Sequence, residues 1–274
     1  MPKTVSVNTA NTNRWFTILG LYDVEVRVIG TNISFILGAG SLGALQTVRE
    51  VSNNADVTGT ALTVGRYCDF NTTCRILVGG EHRHPNSLSF SGSPLIKSLA
   101  RNSELSFVSY SKGPITIGGG CVFGLNSILL SGVTLGDYVL VGAGAAVSTQ
   151  IPVCDYSILA GNPARLIAKS SKNRYVNELH KLDPVQVFEA FRVNPASPDF
   201  SDVGRQPLGE RLVVIDMKFI GNKINSMSIA GLRHNKEFKQ LASLSTGVRE
   251  FFQQINDKTD NVDVDLDIFR DFIR

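Results

Sequence analysis

Residues 117–147 read IGGGCVFGLNSILLSGVTLGDYVLVGAGAAV, and this stretch decides the fold. Taken in sixes, every hexad begins with an apolar residue: Ile117, Phe123, Leu129, Leu135, Val141 and Val147. The fifth positions are all small or β-branched: Cys121, Ser127, Val133, Val139 and Ala145. A period of six is neither the 3.6 of a helix nor the 2 of a strand. It is typical of a narrow solenoid, in which each coil places its inward residues directly over those of the coil below.

The same phase occurs upstream and is then interrupted. Apolar residues open three earlier hexads, at Val64, Phe70 and Ile76, and the next position in phase is His82. A serine-rich segment follows in which the period is lost. When the hexads resume at Ile117 their register has changed, because 82 and 117 do not differ by a multiple of six. The sequence therefore predicts an excursion loop, at about residues 83–114, inserted into the solenoid.

The bulk composition is that of a globular chain. Of 274 residues, 43% are hydrophobic and 19% are charged, and the formal net charge is only +3 without a block of like charges. This balance disfavours nucleic acid or an anionic membrane as a partner. No apolar run reaches the ~18 residues of a membrane span, and the first residues lack the apolar segment of a signal peptide. We therefore expect a protein of the cytoplasm.

The cysteines fit packing better than chemistry. The four of them, Cys68, Cys74, Cys121 and Cys154, form no C-x-x-C pair, which disfavours a disulfide framework or a zinc ribbon. Three of the four fall in the small fifth position of a hexad. Those three are predicted to be small buried hydrophobes inside the solenoid.

A competing pattern precedes the hexads. Gly38, Gly40 and Gly43 form G-x-G-x-x-G after an apolar run, and Asp56 lies near the place of a ribose-binding acid. A dinucleotide-binding domain would need further βαβ units, and the hexads from Val64 leave no room for them. The glycines are therefore predicted to serve tight corners at the start of the solenoid.

After residue 170 the period disappears. Asp183 and Pro184 predict the capped start of a helix, Gly221 and Asn222 predict the turn of a hairpin, and apolar spacing from Phe238 predicts a closing helix. We therefore expect two parts. Residues 1–170 form a mainly β domain, a parallel β-helix with the excursion loop, and residues 171–274 form a helical or α+β C-terminal appendage.

Two segments resemble a known family. Residues 113–169, which contain VGAG and end in AGNPARLIAK, resemble the last coils of the hexapeptide-repeat acyltransferases, which are left-handed β-helix enzymes. The segment GGEHRH (residues 79–84) resembles the part of that family that carries its catalytic histidine, and the glycine-rich early coils resemble its polysaccharide-type members. The resemblance implies a homotrimer that transfers an acetyl group from acetyl-CoA to a hydroxyl of a sugar or polysaccharide.

The resemblance places the catalytic base at His82, with His84 as the runner-up. A neutral imidazole is suited to take a proton from an acceptor hydroxyl as it attacks a thioester. His82 keeps the phase of the hexads, so its backbone is expected to be held by a rigid coil, whereas His84 is two residues into the excursion. The other histidines, His180 and His234, have polar sequence contexts and are expected at the surface.

The resemblance also implies an acetyl-CoA site at Ala143, Ser148, Arg165 and Lys169. The arginine suits phosphate as a fork and the lysine as a point charge. Two departures from the family weaken the site. Val122 stands where tryptophan is usual, and the Ser-Thr-Gln beginning at Ser148 stands where Thr-Lys-Asp is usual, so an aromatic wall and a charge pair are lost.

Several alternatives stay open on the sequence. A related enzyme would acetylate the nitrogen of an amino sugar or the hydroxyl of a small drug. A zinc solenoid of the γ-carbonic-anhydrase type shares the coil pattern, but it needs three histidines from separated coils, and none occurs between residues 85 and 179, so no metal is expected. The last alternative is a non-catalytic solenoid scaffold whose appendage binds a partner.

Overall fold

The computed structural model describes residues 20–49, 58–81, 110–148, 153–170, 178–210, 212–220 and 223–233. In chain order its strands are β1 (Asp23–Val28), β2 (Ile33–Leu37), β3 (Val48–Arg49), β4 (Gly59–Val64), β5 (Asp69–Phe70), β6 (Arg75–Leu77), β7 (Ile115–Ile117), β8 (Val122–Phe123), β9 (Ile128–Leu129), β10 (Thr134–Leu135), β11 (Leu140–Val141), β12 (Ala146–Val147), β13 (Ser157–Ala160), β14 (Arg165–Lys169), β15 (Leu212–Ile220) and β16 (Lys223–Arg233). Its helices are α1 (Ala44–Thr47), a 3₁₀ turn (Leu179–Lys181) and α2 (Pro184–Val193).

The coils form three sheets, which we call the first, second and third faces. Parallel strands stack as β2, β4, β7 and β10 on the first face, as β5, β8, β11 and β13 on the second, and as β3, β6, β9 and β12 on the third. In a regular coil the chain returns to the same place after three hexads, as Leu140 does in pairing with both Val122 and Ile158. The fold is the parallel β-helix predicted from the hexads, with the left-handed sense that the family resemblance implied.

The predicted inward positions fill the core. The apolar first positions and the small fifth positions of the hexads from residue 117 to 147 are all at most 2% exposed. Phe70 and Phe123, one coil apart, stack with ring centroids 4.5 Å apart. Each such side chain contributes roughly 1.5–3 kcal/mol through burial. The burial of these repeated inward side chains therefore stabilises the β-helix.

The three cysteines predicted to lie inside are buried, and Cys154 is exposed. Burial raises the pKa of the Cys74 thiol, and the pKa of Cys121 is raised by a hydrogen bond with Cys68 and by burial. A raised pKa keeps a thiol protonated and unreactive. Cys74 and Cys121 therefore pack as small hydrophobes, whereas the hydrogen bond with Cys121 lowers the pKa of Cys68 inside the same core.

The excursion leaves the helix between the third face and the first. Val64 pairs with Ile117, fifty-three residues further on, whereas a regular coil advances eighteen, so thirty-five extra residues depart between β6 and β7. Glu81 and Tyr110 form an antiparallel bridge where the chain leaves and returns. Residues 82–109 lie outside the described residues.

The glycine fingerprint forms a corner, as predicted. Gly38 donates its N–H to the Val64 carbonyl at 2.8 Å, and a Cβ on Gly38 would come within 2.5 Å of the Arg66 backbone nitrogen. Gly40 has a positive φ of +77°, which favours glycine. Gly43 has neither constraint, since its φ is −53° and open space surrounds its Cβ position. The helix that follows, α1, has only four residues, so this segment lacks the long crossover helix of a dinucleotide fold. Asp56 lies outside the described residues.

The described C-terminal segments pack on the first coil. β15 pairs in parallel with β1, and β16 pairs antiparallel with β15, which confirms the predicted hairpin. The predicted helix start is also confirmed, because the Asp183 carboxylate accepts from the N–H groups of Val185 and Gln186, with Pro184 in the first turn. The closing helix from Phe238 lies outside the described residues. A domain boundary near residue 170 stays a prediction, although β1 and β15 share one sheet.

Among the described residues, no helix has the length and hydrophobicity that crossing a bilayer requires.

Candidate functional site

The base of the excursion is a closely bonded corner, which we call the excursion root (Glu81, Tyr110, Lys112 and Ser131). The Glu81 N–H donates to the Tyr110 carbonyl at 3.0 Å, and the Tyr110 N–H donates back at 2.6 Å. Ser131 Oγ donates to Glu81 Oε1 at 2.9 Å, and Lys112 Nζ lies 3.0 Å from Glu81 Oε2. His82 is the next residue in the chain. It lies outside the described residues, as does His84, so both stay predictions.

Ser131 ties the excursion root to the next coil. Its side chain is buried, and its Oγ accepts the backbone N–H of Lys112 at 2.8 Å while donating to Glu81. Because one hydroxyl joins both arms of the excursion, a shift of either arm breaks a partly buried hydrogen bond. The loss of such a bond costs ~1–3 kcal/mol. The backbone that enters the excursion is therefore fixed.

Three of the four residues predicted to bind acetyl-CoA border the third face. Ala143 lies in the corner before β12, and Ser148 directly follows β12. Arg165 begins β14 next to Ala164, whose N–H donates to the carbonyl of Ala146 at the start of β12. These residues therefore surround one edge of the helix in its last coils.

Lys169 lies apart from the other three. β14 runs antiparallel to β13 on the second face, with Arg165 opposite Ala160 and Lys169 opposite Ser157. The backbones of Arg165 and Lys169 are thus about 13 Å apart along the strand. Both side chains are exposed, and Arg165 Nη1 donates to the Ala164 carbonyl at 3.0 Å. The two cations therefore lie at opposite ends of β14, and their role at the phosphates of CoA stays a prediction.

His180 is not the surface residue that was expected. Its side chain is 11% exposed, with Nε2 3.0 Å from Asp137 Oδ2 and Nδ1 3.0 Å from Tyr138 Oη. Because a carboxylate only accepts, Nε2 donates to Asp137, and in the neutral ring Nδ1 accepts from the Tyr138 hydroxyl. The hydrogen bond from His180 lowers the pKa of Asp137, and burial raises the pKa of Tyr138 to about 12. Both ring nitrogens are hydrogen-bonded, so His180 holds this corner to residues 137 and 138 and has no ring nitrogen free to act as a base.

The helix makes room for His180 at a regular corner. A Cβ on Gly119 would lie 2.5 Å from the His180 Cβ, so only glycine allows the ring to approach. Tyr138 and Tyr156 occupy the same place in successive coils and stack at 5.3 Å. The sequence carries a signal for this corner, because an Asp-Tyr pair recurs eighteen residues apart, at 137–138 and 155–156. Sequence reasoning missed that signal.

A buried ion pair fastens the same corner, and we call it the Arg66 clasp. Arg66 Nε and Nη2 donate to the two carboxylate oxygens of Asp23 in β1, at 2.8 and 2.6 Å, and both side chains are fully buried. The guanidinium also donates to four backbone carbonyls of the C-terminal segment, those of His180, Leu182, Gln206 and Pro207. The clasp therefore joins the first strand, the first coil and residues 180–207.

Part of the β-helix matches a known repeat. Residues 114–149 match the model of the hexapeptide repeat of succinyl-transferase. The matched segment coincides with the coils whose eighteen-residue return the structure shows. Residues 114–149 of the β-helix therefore carry the hexapeptide repeat.

The relatives of this hexapeptide-repeat chain include sugar acetyltransferases. It is 35% identical over 117 residues to galactoside O-acetyltransferase of Escherichia coli K12, covering 40% of this chain and 54% of the relative. It is 45% identical over 47 residues to dTDP-3-amino-3,6-dideoxy-alpha-D-galactopyranose 3-N-acetyltransferase of Aneurinibacillus thermoaerophilus, covering 17% and 23%. A solved galactoside acetyltransferase in complex with coenzyme A aligns over 64% of this chain and 80% of its own, with 21% identity and a TM-score of 0.35. The chain spans about half or less of the length of these two curated relatives.

Val122 belongs to an apolar strip on the second face of the β-helix. The strip runs in register through Val122, Leu140, Ile158 and Ala168. Val122 and Leu140 are 43% and 41% exposed, and the neighbouring Ile167 is 63% exposed. A contiguous apolar surface of this kind is typical of a protein contact.

Among the described residues, no three His, Cys, Asp or Glu side chains converge in a group that could hold a metal ion.

Proposed function

We propose that this chain is an acetyltransferase that moves the acetyl group of acetyl-CoA to a hydroxyl of a sugar or polysaccharide, with His82 as general base. The observation that carries the proposal is the 35% identity over 117 residues to a galactoside O-acetyltransferase. The excursion root supports the assignment of the base, because catalytic groups perform best on rigid elements. His84 remains the runner-up.

Acetyl transfer between acetyl-CoA and the acceptor hydroxyl requires one base and no further reactant. His82 takes the proton of the acceptor hydroxyl as its oxygen attacks the thioester carbonyl. When the carbon–sulfur bond breaks, the sulfur of CoA leaves as a thiolate and the imidazolium returns the proton to it. The products are an acetyl ester and free CoA, so atoms and charge balance.

The placement of three of the four predicted residues supports an acetyl-CoA site along the third face. Ala143 offers backbone and Ser148 a hydroxyl at either end of β12, and Arg165 offers a forked cation beside them. Lys169 stands about 13 Å further along β14. Arg165→Ala is therefore expected to raise the KM for acetyl-CoA more than Lys169→Ala does.

The test measures acetyl transfer by mass spectrometry over a panel of glycans and small hydroxyl acceptors. His82→Ala is expected to lower turnover by at least about 10²-fold, the usual loss for a general base, while CoA affinity stays unchanged. His84→Ala serves as the matched control and is expected to cost far less. If the ranking is reversed, the base is His84, and equal small losses in two folded variants would remove histidine catalysis from the proposal.

Acetylation of an amino-sugar nitrogen is the second candidate function. It is favoured by the 45% identity over 47 residues to a 3-N-acetyltransferase of a dTDP-linked amino sugar. Paired acceptors that differ only in carrying an amine or a hydroxyl decide between the two functions. A non-catalytic scaffold predicts no transfer to any acceptor and no thermal stabilisation by millimolar CoA, since only a ligand of the native state raises stability.

We propose a homotrimer as the active assembly. The exposed apolar strip on the second face supports it, because a second copy of the chain would cover Val122 and Leu140. Light scattering is expected to give three times the monomer mass. A stable monomer that still turns over acceptor would contradict the proposal.

A further inference from the structure

Two of the buried cysteines, Cys68 and Cys121, lie one above the other in neighbouring coils. They directly precede Asp69 and Val122, which pair in parallel in β5 and β8, and the Asp69 N–H donates to the Cys121 carbonyl at 2.9 Å. Neighbouring strands place such opposed Cα atoms about 4.8 Å apart. This spacing falls within the range of about 4.4–6.8 Å that a disulfide bridges. The backbone therefore already has the separation that a bond between the two sulfurs requires.

The two thiols face each other and differ in character. Cys68 Sγ lies 3.1 Å from the carbonyl oxygen of Gly118, in the coil that carries Cys121. The hydrogen bond between the two thiols lowers the pKa of Cys68, whereas the same bond and burial raise the pKa of Cys121. Cys68 also retains 4% of its surface exposed, whereas Cys121 retains none. Because the thiolate is the form that an oxidant attacks, Cys68 is the first of the pair to react.

We propose that Cys68 and Cys121 form a redox site, at which hydrogen peroxide converts the two thiols into a disulfide that links the coil before the excursion to the coil after it. The Cys68 thiolate attacks one peroxide oxygen, the O–O bond breaks, and hydroxide leaves with the former thiol proton as water. The Cys121 sulfur then attacks the sulfenic sulfur, the S–O bond breaks, and its thiol proton leaves with that hydroxide as a second water. Each sulfur loses one electron and each peroxide oxygen gains one.

The place of the bridge in the chain determines its effect. The excursion departs between β6 and β7, so the segment from Cys68 to Cys121 contains the whole excursion. A disulfide constrains the unfolded chain more strongly when the loop it closes is long. Oxidation is therefore expected to stabilise the stacking of β5 on β8 against opening of the excursion. This inference does not depend on the chain being an acetyltransferase.

The experiment uses the full-length chain with Cys154→Ser, which removes the exposed thiol and with it disulfides between molecules. The folded protein is treated with hydrogen peroxide and the excess is destroyed with catalase. Mass spectrometry without reductant is expected to show the loss of two hydrogen atoms and one linked pair of peptides, carrying Cys68 and Cys121. The urea midpoint is expected to rise by about 1 M and to return on treatment with dithiothreitol.

Three variants in the same background serve as controls. Cys68→Ala and Cys121→Ala are each expected to abolish the link, and alanine suits this position because Ala145 occupies it, fully buried, in a later hexad. The matched control is Cys74→Ala. Cys74 is also fully buried, but its neighbour in the next coil is Ser127, since the residues that follow them pair in register. This variant is expected to form the link as the parent does, and circular dichroism shows whether each variant folds.

The results that would overturn the inference are distinct. Recovery of Cys68 as a free thiol or a sulfinic acid, with no linked peptides, would show that the folded coils do not let the sulfurs join. A link that forms only after urea is added would show the same. A link that persists in Cys121→Ala would assign the chemistry to another thiol. A linked protein with an unchanged urea midpoint would contradict the stabilising effect.

Discussion

Replacing Arg66 with methionine is expected to destabilise the protein and to release the C-terminal segment from the β-helix. The guanidinium is fully buried and makes a two-point contact with Asp23. Its Nη1 donates to the carbonyls of Leu182 and Gln206 at 2.7 and 2.6 Å. Methionine fills much of the same volume but donates nothing, so the substitution removes the polar contacts and largely preserves the packing.

The magnitude follows from the charge left behind. Removing one partner of a buried ion pair costs about 3–5 kcal/mol, because the other charge stays desolvated. Asp23 would retain one hydrogen bond, from the Ala39 N–H at 3.0 Å. Asp23→Asn should cost less, about 1–3 kcal/mol, because the amide still accepts and Arg66 keeps its carbonyl partners. The control is Arg27→Met, in the same strand as Asp23, where the side chain is 48% exposed and a loss under about 0.5 kcal/mol is expected.

Urea unfolding at one fixed protein concentration measures all three variants, since assembly would otherwise change apparent stability. Hydrogen exchange locates the effect, and Arg66→Met is expected to lose protection first in residues 178–210 and in β15. An Arg66→Met protein within about 1 kcal/mol of the wild type, with unchanged exchange in these segments, would show that the clasp does not fasten the C-terminal part.

Two further predictions follow from the corners. Gly38→Ala is expected to destabilise the protein strongly, because its Cβ would lie 2.5 Å from the Arg66 backbone nitrogen. Gly43→Ala is expected to be neutral or to stabilise the protein by about 0.4–1 kcal/mol. Thermal unfolding measures this contrast, and equal losses of stability in the two variants would contradict it. Asp137 has a lowered pKa in the folded protein, so it contributes stability above its unfolded pKa of about 3.9 that is lost as the pH falls through its folded pKa. Asp137→Asn should therefore be less stable than wild type at pH 7, and the difference in Tm should shrink as the pH falls below about 4. A difference in Tm that does not shrink on acidification would refute this.

The hexads predicted the interior of the helix because that interior repeats. Inward side chains depend only on the position of a residue within its own coil, so a local period is enough to place Phe123 or Val139 in the core. The excursion was predictable for the same reason, since a break in phase needs only the residues on either side of it. Corners with a positive φ, such as Gly40, were likewise predictable because glycine locally favours that conformation.

The contacts of Arg66 and His180 could not be predicted in this way. Arg66 occupies the third position of its hexad, a corner position where Asp137 stands in a later coil and remains partly exposed. It is buried only because residues from 180 onward cover it, more than a hundred positions along the chain. Hexad phase contains no information about such a pairing. A polar residue at a corner therefore looks solvated in the sequence until the covering segment is known.

The contacts of Arg66 and His180 lie at a different corner of the β-helix from the excursion root. The Arg66 clasp and His180 occupy the corner between the first and second faces, whereas the excursion root lies between the third face and the first. The described side-chain hydrogen bonds between residues 178–210 and the coils are made at the former corner. Arg66→Met should thus lower the free energy of unfolding without loss of amide-exchange protection at Glu81 and Tyr110 while the protein remains folded. If Arg66→Met also lost protection at Glu81 and Tyr110 under conditions where the protein remains folded, the two corners would have to be coupled through the coils between them.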